Sequence, residues 1–140
     1  MSNILKIIIL FFYLAIGLVS LVMAMKSFLA RTFLPFHQEA YGKNWESIDV
    51  NLQLVFLALL RISGLGFLVI AFLLLSTPFF NYVNPNFYFQ FFIPFIALIF
   101  SIGLFIFNFF LFKRTKAKTP WKNSLYAIMV ISICIILSCF

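Results

Sequence analysis

Charged residues are scarce in this sequence, and acidic residues are the scarcest of them. Only 9% of the 140 residues are charged, and three of these are acidic. Soluble domains carry about a quarter of their residues as charges, so this composition excludes a soluble fold. All three acids, Glu39, Glu46 and Asp49, fall in one short stretch. No acid lies inside a long apolar run, which excludes the mid-membrane carboxylate of a proton-coupled transporter.

Residues that bind metals or act as nucleophiles are also few. The chain has one histidine, His37, and two cysteines, Cys134 and Cys139. Zinc sites need several nitrogen or sulfur ligands at defined spacing, and the sequence has neither a CxxC pair nor an HExxH motif. It has no phosphate-binding loop and no GxSxG motif. We therefore expect no metal and no cofactor, and we assign no catalytic residue.

Apolar residues, by contrast, make up 65% of the chain and form long continuous runs. A transmembrane helix needs about 20 such residues, and a membrane barrel would instead show short alternating segments. We predict an all-α integral membrane protein, with four transmembrane helices in one bundle and a short interfacial helix in the first connection. The single domain has predicted spans over residues 4–29, 50–76, 86–112 and 120–140, with connections 30–49 and 113–119 on the cytoplasmic side.

The first apolar run has a signal peptide as its alternative interpretation. Its uncharged core, residues 7–25, is longer than the apolar region of such peptides, and Lys26 stands where a cleavage site would be. We favour an uncleaved helix. Small and polar residues on one face predict a seam that packs against another helix: Tyr13, Gly17, Ser20, Ala24 and Ser27.

Lysine and arginine are distributed unequally, which predicts the orientation. Residues 26–50 hold three of them and residues 113–122 hold five, against one before the first span and none in the second connection. Because positive connections stay in the cytoplasm, we expect both termini on the non-cytoplasmic side of a membrane, which we take to be a bacterial inner membrane. Lipid headgroups account for the net charge of +7, and we expect no nucleic-acid partner.

The connections contain local signals for where helices begin and end. Pro35 and Gly42 predict a short helix over residues 35–41 at the membrane surface, and Asp49 is a suitable N-cap for the second span. Residues 77–86 are predicted to form a turn-rich connection. The dipeptides at 84–85 and 119–120, Asn-Pro and Thr-Pro, predict an N-cap followed by the first helical position of spans three and four.

Arg61 is the one charge in the middle of a predicted span, since Lys6, Lys26 and Lys122 lie close to the ends of theirs. A charge at that depth costs about 2.5–3.5 kcal/mol on insertion scales and marks a functional site by default. We expect it to face into the bundle and to meet either a carboxylate of the first connection or an anionic ligand such as a lipid phosphate. The residues that share its helical face are Gln53, Leu57, Gly64, Leu68 and Ala71.

Four more residues complete the candidate site. Gln53 and Asn108 are amides on predicted inward faces and can form hydrogen bonds between helices. His37 and Glu39 could transfer a proton if a pocket closes over them. For the amides the alternative is a purely structural role in packing, and for His37 and Glu39 it is a solvated connection.

Three functions fit these features. The first is a non-enzymatic membrane subunit or interaction protein with a lipid or hydrophobic-ligand site near Arg61; its partners would be membrane lipids, and itself or another membrane protein. The second is a small homo-oligomeric transporter or channel in which Arg61 selects an anionic substrate. The third is a membrane enzyme acting on a lipid, with Arg61 on a phosphate and His37 or Glu39 transferring the proton.

Overall fold

The protein is all-helical throughout the part of the chain that its structure describes. The structure, a computed structural model, describes residues 3–83 and 87–139, with side chains for 4–79 and 91–139. A short 3₁₀ turn, Trp45–Ser47, precedes the second long helix. The helices are α1 (Asn3–Leu29), α2 (Pro35–Tyr41), α3 (Val50–Val83), α4 (Phe87–Thr115) and α5 (Trp121–Leu137).

Three segments are long and apolar enough to cross a membrane: Ile4–Leu29, Val50–Phe79 and Phe91–Thr115. α5 is also apolar but has only 17 residues, which correspond to about 26 Å of helix. Large apolar side chains cover the outside of these helices, and a surface of that kind belongs in lipid. The predicted all-helical membrane bundle is confirmed.

The helix signals of the first connection are confirmed. Pro35 stands in the first turn of α2, and Gly42 ends the helix in the left-handed conformation at φ 73°, with its N–H donating to the Gln38 carbonyl. Asp49 caps α3, because its carboxylate accepts a 2.9 Å hydrogen bond from the backbone N–H of Asn51. These features place α2 as a short arm just before α3.

The second connection is shorter than predicted, because α3 continues to Val83 instead of ending near residue 76. The Thr77 hydroxyl donates to the Leu73 carbonyl at 3.1 Å, and Pro78 stands inside the helix. The helix therefore runs through Pro78, although proline and the asparagine residues after it are typical of turns. The predicted boundary at 84–85 lies outside the described residues.

The start of the last helix also differs from the prediction. Thr119 is not the N-cap of α5, which begins at Trp121 after Pro120. The Thr119 side chain is instead buried, and its hydroxyl donates to the backbone carbonyl of Asn108 at 2.8 Å. This hydrogen bond ties the third connection back onto α4.

The four long helices form a closed ring of contacts, α1 to α3 to α4 to α5 and back to α1. The most extensive contact joins α1 and α3. All five residues of the predicted α1 seam are buried, so that prediction is confirmed. Gly64 of α3 lies against Ser27 and the Ala24 carbonyl, and α1 and α3 therefore approach closely at a point where neither has a large side chain.

The face of α3 that packs inside the bundle differs from the predicted face by part of a helical turn. Gly64 and Ala71 are buried as expected, but Arg61 and Leu68 are exposed on the outside of the bundle. The α1 contact is centred instead on the line that runs from Leu60 through Gly64 to Leu74 and Thr77. A charge turned into that apolar contact would be buried without a partner, which is unfavourable.

Packing is densest at the end of the bundle where α1 begins and α3 ends. One cluster of buried side chains there joins all four long helices: Ile9, Tyr13, Ile70, Leu74, Ile93, Ala97, Ile131 and Cys134. At the opposite end, α2 and the 3₁₀ turn lie over the start of α3, and the space between the helices is not filled. The candidate site lies at that open end.

Candidate functional site

A cavity of about 300 Å³ lies between α2, the 3₁₀ turn, the start of α3 and the end of α4. We call it the aromatic cavity. Its surface is almost wholly apolar, and its volume falls at the lower end of the range for small-molecule sites, about 300–1,000 Å³. It is lined by Phe33, His37, Ala40, Tyr41, Trp45, Ile48, Leu52, Gln53, Phe56 and Leu111.

Phe33 organises the aromatic wall of this cavity. Its ring centroid lies 4.6 Å from that of Phe56 and 4.9 Å from that of Trp45, both edge to face. The Tyr41 ring is 5.8 Å away. Edge-to-face pairs add about 0.5–1.5 kcal/mol each beyond the burial of their area, so residues from four separate segments are held as one wall.

Gln53 fixes the 3₁₀ turn over the start of α3. Its Nε2 donates to the Trp45 carbonyl at 2.9 Å and to the Ile48 carbonyl at 3.1 Å. The Trp45 carbonyl also accepts a hydrogen bond from the backbone N–H of Ile48 at 3.3 Å, so the side chain of Gln53 adds a second hydrogen bond there and satisfies the Ile48 carbonyl. Gln53 was predicted as a site residue, and the structure places it on the cavity wall, where its amide group shapes the cavity from one side.

His37 is the most unusual polar group of the cavity. Its Nδ1 atom is buried and has no hydrogen-bond partner among the described residues. Its ring lies 3.9 Å from the Phe36 ring and 5.0 Å from the Phe56 ring, measured between centroids. Burial lowers the pKa of His37 to about 4, so the imidazole is neutral at pH 7. The Nδ1 atom is covered by its surroundings and has no hydrogen bond within the described part of the chain, which is unfavourable for a buried polar atom.

A second cavity, of about 360 Å³, is lined by α1, α2, α3 and α4 and includes Leu59 and Phe107, which are exposed on the outside of the bundle. We call it the inner cavity. His37, Phe56 and Leu111 line both cavities, so the edge-to-face pair of His37 and Phe56 separates the two. The inner cavity carries more polar groups, since Ser27, Ser63 and Asn108 line it as well. Together the two cavities extend from the surface arm α2 toward the middle of the bundle.

The structure brings together three of the five predicted site residues. Gln53 and His37 line the aromatic cavity, and Asn108 and His37 line the inner cavity. The Asn108 side chain donates to the Leu104 carbonyl at 2.9 Å. Glu39 lies instead in a shallow polar depression on the far side of α2, and Arg61 lines none of the three pockets described here. An anion site inside the bundle therefore lacks the arginine on which it was predicted to depend.

The chemistry of the two cavities favours binding over catalysis. No carboxylate lines either of them, so His37 has no acidic partner there for proton transfer. Among the described residues no group of three or more His, Cys, Asp or Glu side chains could hold a metal ion. What the walls offer is aromatic and aliphatic surface, with a neutral imidazole and an amide at fixed positions.

Sequence reasoning missed the aromatic wall itself. Phe33 was expected only to supply an apolar contact and Trp45 to lie at headgroup depth, because aromatic side chains are common at membrane interfaces. The available signal was their concentration, with four Phe, Tyr or Trp residues between positions 33 and 45 and one more at 56. Comparison with family models, with curated proteins and with solved structures gave no match.

Proposed function

We propose that this is a non-enzymatic membrane protein that binds the apolar chain of a lipid or lipid-like small molecule in the aromatic cavity. The observation that carries the proposal is the cavity itself, whose walls are aromatic and aliphatic and almost free of polar surface. Burying an apolar chain there is favourable by about 25 cal/mol for each Å² removed from water. His37 is neutral at pH 7 and presents no charge to such a chain.

The site is placed at the membrane surface by the orientation that we propose for the chain. Four spans, with α5 as a short fourth, put the basic connections and the aromatic cavity on the cytoplasmic side and both termini on the other side. Cys139 is exposed near the end of α5, whereas Cys134 is buried. A maleimide that cannot cross membranes should therefore label Cys139 in intact cells. Labelling only after permeabilisation would contradict this orientation.

Quenching of Trp45 fluorescence tests ligand binding directly. The chain has two tryptophans, so in a Trp121→Phe background Trp45, which lines the cavity, is the only reporter. A brominated stearic acid, titrated into the purified protein in detergent, should quench Trp45 saturably. Bromine quenches indole emission only at close range, and a chain held in the cavity lies against the indole ring.

Two alanine substitutions of the same size make the test specific. Ala40→Phe fills the aromatic cavity, because Ala40 lines it, and should weaken the apparent affinity at least tenfold. Ala58→Phe adds the same ring at an exposed position of α3 outside the cavity and should leave the affinity unchanged. Quenching that rises linearly with the probe, to the same extent in all three proteins, would show partitioning into the micelle and would refute the proposal.

A further inference from the structure

Arg61 lies at the centre of an apolar stripe on the outside of α3, turned away from both cavities. The residues of the stripe follow one another at alternating intervals of four and three, the spacing at which one helix packs along another. All six are exposed. We call them the Arg61 stripe: Leu54, Ala58, Arg61, Leu65, Leu68 and Phe72.

Within the described residues, Arg61 has no hydrogen bond and no ion pair. The acidic residues that could pair with Arg61 all precede α3 in the sequence. Asp49, the nearest acid, stands before the first residue of α3 and caps that helix. Arg61 is eleven residues beyond Val50, the first residue of α3, or about 16 Å along the helix axis. A group that neutralises the charge of Arg61 must therefore come from outside the chain.

The depth of Arg61 makes this lack of a partner costly. A bilayer has a hydrocarbon core about 30 Å thick, so an upright α3 that enters the hydrocarbon at Val50 carries Arg61, about 16 Å along its axis, near the middle of the core. An arginine there costs about 2.5–3.5 kcal/mol on insertion scales. Its side chain leans toward the start of the helix but covers only part of the distance to the headgroups.

We propose that the Arg61 stripe docks a transmembrane helix of a different membrane protein, one that carries Asp or Glu at the same depth. A carboxylate there would pair with the guanidinium through two parallel hydrogen bonds. A second copy of this chain does not fit, because a two-fold interface brings the same residues together and would place Arg61 against Arg61. The acids of a second copy also precede α3 and lie outside the membrane-spanning segment.

The test uses a synthetic transmembrane helix as the partner. A labelled leucine–alanine peptide with one central Asp, and the same peptide with Leu in its place, are each mixed with labelled full-length protein in liposomes at pH 8. Energy transfer between the labels reports association. The wild type should bind the Asp peptide at least tenfold more tightly than the Leu peptide, and Arg61→Leu should abolish this preference. Arg61→Lys keeps the charge but loses the planar guanidinium group, so this variant should retain part of the preference for the Asp peptide.

Two tryptophan substitutions locate the contact on α3. Leu65 belongs to the stripe, whereas Val55 is on another side of the same helix, and the two are similarly exposed, at 52% and 55%. Leu65→Trp should weaken binding of the Asp peptide, and Val55→Trp should not. Arg61 makes no contact that holds the bundle together, so Arg61→Leu should keep the thermal stability of the wild type and remain informative.

Three results would overturn the proposal. The first is equal binding of the two peptides by the wild type, which would leave lipid as the only neighbour of Arg61. The second is a preference for Asp that survives in Arg61→Leu. The third is energy transfer between two copies of the wild type that the Asp peptide does not reduce and that Arg61→Leu removes, because the stripe would then be a homodimer interface.

Discussion

His37 is a neutral imidazole held among aromatic rings, with one nitrogen buried and unpaired among the described residues. Its pKa of about 4 lies below the ordinary value of 6.5 because burial disfavours the charged ring. When the pH falls below 6.5 the unfolded chain takes up the proton first, so the folded state loses stability between pH 6.5 and about 4. At neutral pH the ring remains uncharged, which suits an apolar ligand.

Because His37 is only partly buried, solvent screening reduces the effect, and its expected size is about 1 kcal/mol between pH 7.5 and pH 5. Unfolding of the purified protein by SDS titration at the two pH values measures it. His37→Phe keeps an aromatic ring in the wall and removes the titrating group, so its stability should change much less over the same interval. The account of His37 fails if the wild type and His37→Phe lose the same stability between these pH values.

Arg61 is a residue whose importance the sequence indicates, although the side of α3 on which it lies was predicted wrongly. Its position inside an uncharged run marks it as significant, and insertion costs explain why. The side of α3 on which it lies depends on which face packs on α1, and that choice is made by Gly64 and by the small residues of α1. The helical periodicity alone allows both faces.

At the scale of elements, the contact between α1 and α3 depends on glycine. A Cβ atom added to Gly64 would lie 3.0 Å from the Ser27 Cβ and 3.4 Å from the Ala24 carbonyl oxygen. The tight contact is with the Ser27 Cβ atom, which is bonded to the α1 backbone and cannot rotate away. Gly64→Ala should therefore destabilise the bundle by about 1–3 kcal/mol. SDS-titration unfolding measures this change.

Gly103 of α4 is the matched control, because a Cβ atom there meets nothing within 4 Å. Gly103→Ala should be neutral, or stabilising by up to about 1 kcal/mol, since alanine has the better helix propensity. If Gly64→Ala is as stable as Gly103→Ala, the close approach of α1 and α3 is not what holds these helices together.

The ends of elements were predictable where a side chain acts locally and not elsewhere. Pro35, Gly42 and Asp49 determine helix ends through φ angles and one hydrogen bond, so the sequence predicts them correctly. The continuation of α3 beyond residue 76 was not predictable in this way, because Pro78 and the polar residues after it are also typical of turns.

In the whole molecule, the two ends of the bundle differ. One end, the filled end, is packed with buried side chains, and the other, the hollow end, contains the two cavities. The buried cluster around Leu74 and Ile131 joins all four long helices, whereas both cavities lie toward the end that carries α2. The filled end gives the bundle a rigid base, and the hollow end leaves space for a ligand. Composition predicts the membrane class and the number of apolar helices, but a cavity depends on how side chains from separate segments meet.

The central claim is that the aromatic cavity holds an apolar chain, and photo-cross-linking tests it most directly. A fatty acid with a diazirine at the end of its chain is added at low mole fraction to the protein in nanodiscs, irradiated and mapped by mass spectrometry. The account predicts saturable labelling of residues 33–56 that Ala40→Phe reduces and Ala58→Phe does not. Labelling spread evenly over the exposed apolar faces of α1, α3 and α4, and unchanged by Ala40→Phe, would contradict it.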